Sequence, residues 1–269
     1  MNLISYTSLD DIFRVKKGDD VKGSDIFSMI IPDRININSA IEVTNGHIEK
    51  GIVSADNMGP AKPNTFIHHI WNEYGPEETK QFLGNAQRLA NGYNLISGFT
   101  CGLGDIDVSA ETEKQVNKMI ETKELEIDHI ITEMENNYDL MPTDIIEEAV
   151  KSELTKIMPD TSKIIIGNLK EDNKFKIMQE AGAKGGPTNI AQMSACLGQT
   201  LVEGNRIKKR MMNRTLQYCY QNDDSARGRG FIPQPFYKGL HPLSFIYHNM
   251  GSREGLIDTG IKTAESGYV

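Results

Sequence analysis

Two kinds of hydrophobic spacing divide the chain. Up to about residue 104, short apolar or alternating runs at Ser28–Pro32, Ile48–Val53 and Phe66–Trp71 are separated by Asn45-Gly46, Gly59-Pro60 and Gly75-Pro76. Such runs between turn residues predict mostly strand and turn. Within this region, Phe82, Leu83, Ala86, Leu89 and Ala90 recur at three- and four-residue spacing and predict a helix over 76–95. Glycines at 98, 102 and 104 then break any helix.

From Ser109 onward the helical period dominates. Val116, Ile120, Ile127, Ile131 and Met134 form one apolar stripe, behind a candidate cap at Ser109 with Glu111 in the first turn. Ile145, Ile146, Ala149, Val150, Leu154 and Ile157 form a second stripe. It starts at Pro142-Thr143 and is expected to stop at Pro159, which cannot donate to the helical ladder. The short link from Asn136 to Thr143 predicts an antiparallel helical hairpin. A further helix is expected over 173–181. Near the C-terminus Ile257, Ile261, Ala264 and Tyr268 share one side of a helix, although Gly255, Gly260 and Gly267 lie inside it. Each glycine costs about 0.5–1 kcal/mol against alanine, so a close neighbour or a need to bend is expected there. The pattern runs into Val269 without a cap, which reads as an interrupted helix. The fold class expected is α+β.

A length of 269 residues is enough for about two domains and for a core that needs no staple. No apolar run approaches the roughly 20 residues of a membrane span, and the N-terminus lacks a secretory pattern. Three cysteines, Cys101, Cys196 and Cys219, are odd in number and far apart, which excludes a disulfide framework and points to a reducing compartment.

Charge changes the picture locally. The net charge is −8, yet 107–160 carries 15 acidic and 5 basic residues while 184–229 carries 8 basic and 3 acidic. With screening over about 8–10 Å, the basic segment is expected to keep its own positive potential, because the distant acidic segment cannot cancel it. Arg206–Arg214 therefore reads either as a phosphate-binding face or as an ordinary solvated surface.

The most informative stretch for chemistry is 181–193, AGAKGGPTNIAQM. Its glycines let the backbone approach a ligand, Lys184 sits among them, and Pro187 suits the first turn of a helix whose start favours an anion. A phosphate site with a lysine beside it is one reading. A glycine-rich turn whose lysine points at water is the other. The order of a Walker A loop is absent. His68 and His69, adjacent on an expected strand, would point to opposite faces and could not share a metal. His241 and His248 have no third ligand at metal spacing. Ser194 and Cys196 lack a His-plus-carboxylate partner, so nucleophilic catalysis has no support.

Several collinear motifs carry a resemblance. Val202–Ile207 (VEGNRI), Arg253–Thr259 (REGLIDT), Lys262–Tyr268 (KTAESGY) and Asn189–Cys196 (NIAQMSAC) resemble the largest subunit of multisubunit DNA-dependent RNA polymerases, in its eukaryotic form. Ser24–Pro32, Gly75-Pro76, Leu83–Asn85 and Gly98–Asp105 follow in the same order, so the likeness runs from about residue 21 to the end.

That resemblance implies a lead-in over 1–20, a mixed β pore domain over 21–106 and a helical-hairpin funnel domain over 107–215. Residues 216–269 would be the start of the cleft domain with the first half of the bridge helix. Lys184 and Asn189 would meet nucleotide phosphates. Lys262, Thr263, Ala264 and Tyr268 would face the template from the bridge helix, and Gln199, Arg206 and Glu254 would line the pore, where the toxin amanitin lodges in polymerase II. Gly260 stands where alanine is usual, Pro187 where an aromatic is common, and Thr200 and Leu201 where a glutamine and a small polar residue are. The resemblance implies Mg²⁺ in the whole enzyme, held by an Asp-rich loop absent from this chain, so the chain alone is expected to be inactive. Expected partners are the second-largest subunit, DNA template, RNA and nucleoside triphosphates, with no membrane. Elongation or transcript-cleavage factors at the acidic hairpin are the alternative main role. Abundant Ile, Asn and Lys suggest an AT-rich genome, viral or protist, with a place in the nucleus, a virus factory or a virion. Met1 fits an excised piece or a naturally split gene.

Overall fold

The computed structural model describes residues 22–59, 62–136 and 143–269. The expected lead-in, Pro60 of one predicted turn, and the link after Asn136 with Pro142 lie outside the described residues. The fold is α+β, mainly helical with two small antiparallel sheets. Described residues up to Cys101, with Ile177–Lys184, form one unit; Gly102–Lys176 with Gly185–Val269 form another.

In the first unit, α1 (Gly23–Ser28) precedes a meander of β1 (Ile37–Asn38), β2 (Glu42–Thr44) and β3 (His47–Lys50). Asn45 and Gly46, at φ +50° and +80°, make the two-residue turn that pairs Thr44 with His47. Both residues hold the left-handed conformation that such a hairpin needs, as Asn-Gly predicts. The region expected to be mostly strand and turn is mainly helical, with only these three short strands among its described residues, and two expected runs come out differently. Ser28–Pro32 is no strand: it is the end of α1 and a turn that buries Ile30 and Ile31. Phe66–Trp71 belongs to a helix, α3 (Phe66–Tyr74), which follows the short α2 (Ala55–Met58). Phe66 and Ile70, four residues apart, both reach the core, so the three-dimensional surroundings select the helical period from a run too short to decide by itself. His68 and His69 are therefore about 100° apart on a helix and not on opposite faces of a strand.

Gly75, at φ +82°, ends α3, and Pro76 opens α4 (Pro76–Ser97) as expected. Phe27, Phe66 and Phe82 form the aromatic centre of this unit, with ring centroids 6.2–6.3 Å apart. Ser28 Oγ accepts from the Ile48 N–H at 3.0 Å and donates to Ser24 O at 2.7 Å, joining α1 to β3.

The second unit is built on α5 (Ala110–Asn136) and α6 (Thr143–Asn168). Ser109 caps α5, its Oγ accepting from the Thr112 N–H at 3.2 Å. Val116, Ile120 and Ile127 of α5 pack with Val150, Leu154 and Ile157 of α6 in one core. Lys123 lies near Glu153 and Asp160, and Val116 near Ile165, a reversed order that makes the pair antiparallel. Ile145, expected on the buried stripe, is 55% exposed. Pro159 does not stop α6, which continues to Asn168. An interior proline costs about 3 kcal/mol, but stopping there would give up the burial of Ile165 and Leu169 in the same core.

After α7 (Lys174–Glu180) and α8 (Pro187–Ser194), β4 (Gly198–Gln199) pairs with β5 (Phe231–Ile232). The chain then enters α9 (Pro242–Tyr268). A smaller core of Leu197, Ile207, Cys219, Ile232 and Tyr247 seats the start of α9. The Tyr247 hydroxyl donates to Gly228 O at 2.9 Å and lies 2.7 Å from Thr215 Oγ1. No helix among the described residues is long and apolar enough to cross a membrane.

Candidate functional site

The glycine-rich stretch folds as a turn between two helices. Gly182 (φ +67°) and Gly185 (φ +75°) hold left-handed backbone, and Ala181, Gly182 and Ala183 donate back to carbonyls of α7. A Cβ on Gly182 would stand 2.5 Å from the Ala55 side chain, so glycine is required there on contact as well as on φ. Lys184 follows with its side chain exposed. Pro187 opens α8 as predicted, and Asn189 sits exposed in its first turn, its N–H donating to Gly186 O at 3.0 Å. Lys184 belongs to the first unit; Asn189, Gln199, Arg206, Glu254 and α9 belong to the second.

The basic segment is divided: Arg206 is buried and paired, while Lys208 and Arg210 stay exposed and paired at the surface. Arg206 is 2% exposed and grips Glu147 of α6 with two nitrogens, at 3.0 and 3.1 Å. Arg229, also buried, reaches the same carboxylate at 3.0 Å and pairs with Asp224, which Lys209 also meets. Lys208 and Arg210 pair with Glu203, and Arg227 forks onto Glu124 of α5 at 2.7 and 2.8 Å. The acidic helices expected to be distant are thus in direct contact with the basic loop and cancel much of its charge. Burial of Glu147 would by itself raise its pKa; the Arg206 hydrogen bond and the charges of Arg206 and Arg229 overcome this and hold the carboxyl below its ordinary value. Asp224 is balanced the same way, with Lys209 and Arg229 outweighing burial. Gln199 joins this network from β4, its Nε2 donating to Arg229 O at 3.0 Å.

Beside the network, a tight turn docks on α9. Glu203 (φ +55°) and Gly204 (φ +74°) close the turn between Val202 and Asn205. Both carboxylate oxygens of Glu254 accept from the Glu203 N–H, at 3.0 and 2.9 Å. Three residues earlier, a Cβ on Gly251 would lie 2.7 Å from Thr200 Cγ2 and 3.2 Å from Leu201 O. One carboxylate and one missing side chain, on adjacent places of the same helical face, therefore fix the loop against the helix. The open groove beside them measures about 710 Å³ and is lined by Leu201, Val202, Met250, Ile257 and Ile261 among others.

Beyond Gly251 every residue of α9 is exposed. Leu256 is 75% exposed, Ile257 56%, Ile261 54% and Tyr268 88%. Lys262 pairs with Asp258 at 2.7 Å and Thr263 Oγ1 donates to Thr259 O, while Ala264 stands bare. A Cβ added to Gly255, Gly260 or Gly267 would meet nothing within 4 Å among the described residues, so the close neighbour expected for them is not in this chain's described part. The expected histidines play local parts. His241 caps α9, and His248 packs edge-on against Phe236 with ring centroids 5.2 Å apart.

Comparison with known families places these pieces together. Family models described as RNA polymerase Rpb1 domain 3, domain 4 and domain 5 match residues 3–106, 111–232 and 239–269 in that order. The chain belongs to the RNA polymerase Rpb1 family. It is 31% identical, over all of its length, to DNA-directed RNA polymerase subunit 1 of Acanthamoeba polyphaga mimivirus, of which it spans 18%. It is 30% identical to subunit Rpo1N of Methanothermobacter thermautotrophicus, with 94% of this chain and 32% of the relative aligned. For subunit Rpo1N of Methanocaldococcus jannaschii the identity is 31%, over 92% of this chain and 20% of the relative. As an Rpb1 chain it carries a part of the large subunit of a DNA-directed RNA polymerase, and α9 falls wholly within the domain 5 match.

Among the described residues of this Rpb1 chain, no group of three His, Cys, Asp or Glu side chains is placed to hold a metal ion. Its functional geometry consists of positioned backbone, paired charges and an uncovered helix. Sequence reasoning missed Glu147, Asp224 and Arg229, which carry no local signal because their partners lie far along the chain. Gly251 it could have found, as one more glycine inside a helical pattern.

Proposed function

We propose that this chain lines the passage by which nucleotides reach the active centre of a DNA-directed RNA polymerase and supplies part of the helix that crosses beside the template. In this reading 21–106 is the pore domain, 107–215 the funnel domain, and 216–269 the start of the cleft domain with the first half of the bridge helix. The observation that carries it is α9: a helix of 27 residues, anchored at Tyr247, Gly251 and Glu254 and solvent-exposed from Ser252 onward. A helix presenting Leu256, Ile257 and Ile261 to water has surface made for something outside this chain. By the motif likeness, Lys262, Thr263, Ala264 and Tyr268 would meet the template, and a second large subunit would cover the apolar side.

Lys184, in a glycine-rich turn with its ammonium free to reach outward, would hold nucleotide phosphates, and Asn189 would support it. Gln199 and Glu254 would shape the pore wall. Arg206 would serve from behind it, since its guanidinium is spent on Glu147. Mg²⁺ supplies activation of the attacking hydroxyl and of the leaving pyrophosphate when bound. The described residues offer no donor set for it, so in this reading carboxylates of another segment hold it. The chain by itself is expected not to extend a primer in Mg²⁺, and incorporation by the isolated chain would overturn that. In the assembled enzyme Lys184→Ala is expected to raise the apparent nucleotide requirement about tenfold or more, the worth of one charge-assisted phosphate contact. An unchanged requirement removes Lys184 from the role. The enzyme would work in a nucleus, a virus factory or a virion, with RNA and DNA template as partners.

A second reading rests on the acidic hairpin. Glu121, Glu126 and Asp128 line the outside of α5 beside Leu125, which is 70% exposed. That combination suits a basic, partly apolar docking factor for elongation or transcript cleavage. Charge reversal there should weaken factor binding and leave basal elongation intact; loss of both would make the hairpin part of the synthetic machinery instead.

A further inference from the structure

The turn at Val202–Asn205 is gripped by two helices. On one side stand Glu254 and Gly251 of α9, as described above. On the other stands α6, which reaches the turn twice. Lys151 Nζ donates to Gly204 O at 3.3 Å. Four residues earlier on the same helical face, Glu147 accepts two nitrogens of Arg206, the residue that directly follows the turn. The remaining guanidinium nitrogen donates to Asp224 O at 3.1 Å, so all three nitrogens of Arg206 are engaged and its side chain has one orientation.

Between these grips the turn is stiff. Val202 and Asn205 exchange both backbone hydrogen bonds, at 2.9 and 3.1 Å, and Asn205 Nδ2 donates to Glu203 O at 3.1 Å. Glu203 holds φ +55°, a conformation that a residue other than glycine keeps only where its surroundings impose it. Here they do so from both sides: Glu254 holds its N–H, and Lys151 holds the carbonyl of the next residue. Lys151 is not available to an outside anion, because its ammonium is shared between Gly204 O and Glu148.

We infer that Lys151 and Glu147 are positioning residues for α9: through the turn at Val202–Asn205 they set where Glu254, and with it the exposed half of the helix, lies relative to the helical hairpin. The inference rests on the reading of α9 as the helix beside the template and adds to it a control from α6. A short, doubly held loop transmits a displacement instead of absorbing it, so a partner that shifts α6 shifts α9 without touching it. Neither residue meets template or nucleotide in this reading. Their loss should therefore slow each cycle of addition and leave the nucleotide requirement, assigned to Lys184, where it was.

The test first follows amide exchange of the Glu203 N–H in the 269-residue chain. Lys151→Met keeps the aliphatic stem and removes the ammonium. It should speed that exchange about tenfold or more, the ratio one charge-assisted hydrogen bond supports, with the core amides of Ile127 and Ile165 unchanged. Lys151→Arg, which keeps a donor in reach of Gly204 O, should restore slow exchange, and Glu148→Gln, which leaves Lys151 in place, should not alter it. In the assembled polymerase Lys151→Met should lower the maximal elongation rate about three- to tenfold at an unchanged nucleotide requirement. Where Lys151→Met does not assemble, Glu147→Gln loosens the same turn through Arg206 and carries the same expectation. Unchanged exchange at Glu203, or exchange that quickens equally at Ile127 and Ile165, overturns the inference. Faster exchange with an unaltered elongation rate overturns it as well, and Lys262→Ala then shows what failed. Slower elongation in Lys262→Ala leaves the reading of α9 standing, and an unaltered rate there removes that reading too.

Discussion

Single residues in this chain show how far a side chain's type can mislead without its neighbours. Arg206 looks like one more cation in a basic run, and it is in truth a buried strut whose partner, Glu147, stands 59 residues earlier. Removing it leaves the carboxylate with Arg229 alone. Breaking a buried pair costs about 3–5 kcal/mol, and since the Glu147 side chain keeps 36% exposure, Arg206→Ala is expected near the lower figure in chemical unfolding. A loss below measurement would show the pair to be idle. The pH dependence follows from the same group. Glu147 is held below its ordinary pKa of 4.5, so its contribution is complete above that value and disappears as pH falls through the lower folded value. Asp224 acts in the same direction from 3.8. Stability should therefore drop steeply below about pH 4.5, and Glu147→Gln should flatten that slope; a slope unchanged in the variant would assign acid unfolding elsewhere. Ser194 gives the opposite sign. Its hydroxyl is buried without a partner among the described residues, so Ser194→Ala should raise stability by about 1 kcal/mol in the same assay, and a loss would mean the hydroxyl has a partner.

At the scale of elements, the helical periods of α4, α5 and α6 and the Asn-Gly turn were legible because local spacing and turn chemistry specify them. The helix over Phe66–Tyr74 was not, because its nine residues offer too few repeats to separate one period from the other. Pro159 misled in the other direction: a strong local breaker lost to the burial of the turns that follow it. The glycines of α9 divide by what surrounds them. Gly251→Ala drives a Cβ into the Thr200 side chain and the Leu201 backbone, and should loosen the loop at Val202–Asn205, seen as faster amide exchange of the Glu203 N–H. Gly260→Ala meets open space and should raise helix stability by about 0.5–1 kcal/mol. The same effect from both substitutions would show that contact with the loop is unimportant.

The whole molecule carries a net charge of −8 with opposite charges concentrated in different stretches, and folding brings those stretches together. Glu124 and Glu147 from the acidic helices meet Arg227, Arg206 and Arg229 from the basic loop. What remains unsatisfied is apolar: the far half of α9 offers Leu256, Ile257 and Ile261 to water. The chain alone is expected to self-associate through that face, and Leu256→Glu with Ile261→Glu should return it to a monomer in sedimentation. A monomeric unaltered chain would mean that the exposed residues are too scattered to act as a patch.

Sequence by itself determined the family, through collinear motifs spread over the chain, and determined most helices, because both depend on residues near one another in the chain. It also marked the Lys184 turn, since glycine, lysine and proline announce loop and helix start locally. Only the tertiary structure decided which charges are spent and which are free, which glycine is a contact and which is merely bare, and that the Ser194 hydroxyl has no partner among the described residues. Those properties depend on pairs of residues tens of positions apart. Coulomb attraction, contact distance and unmet hydrogen bonds act through space, and no local pattern records them.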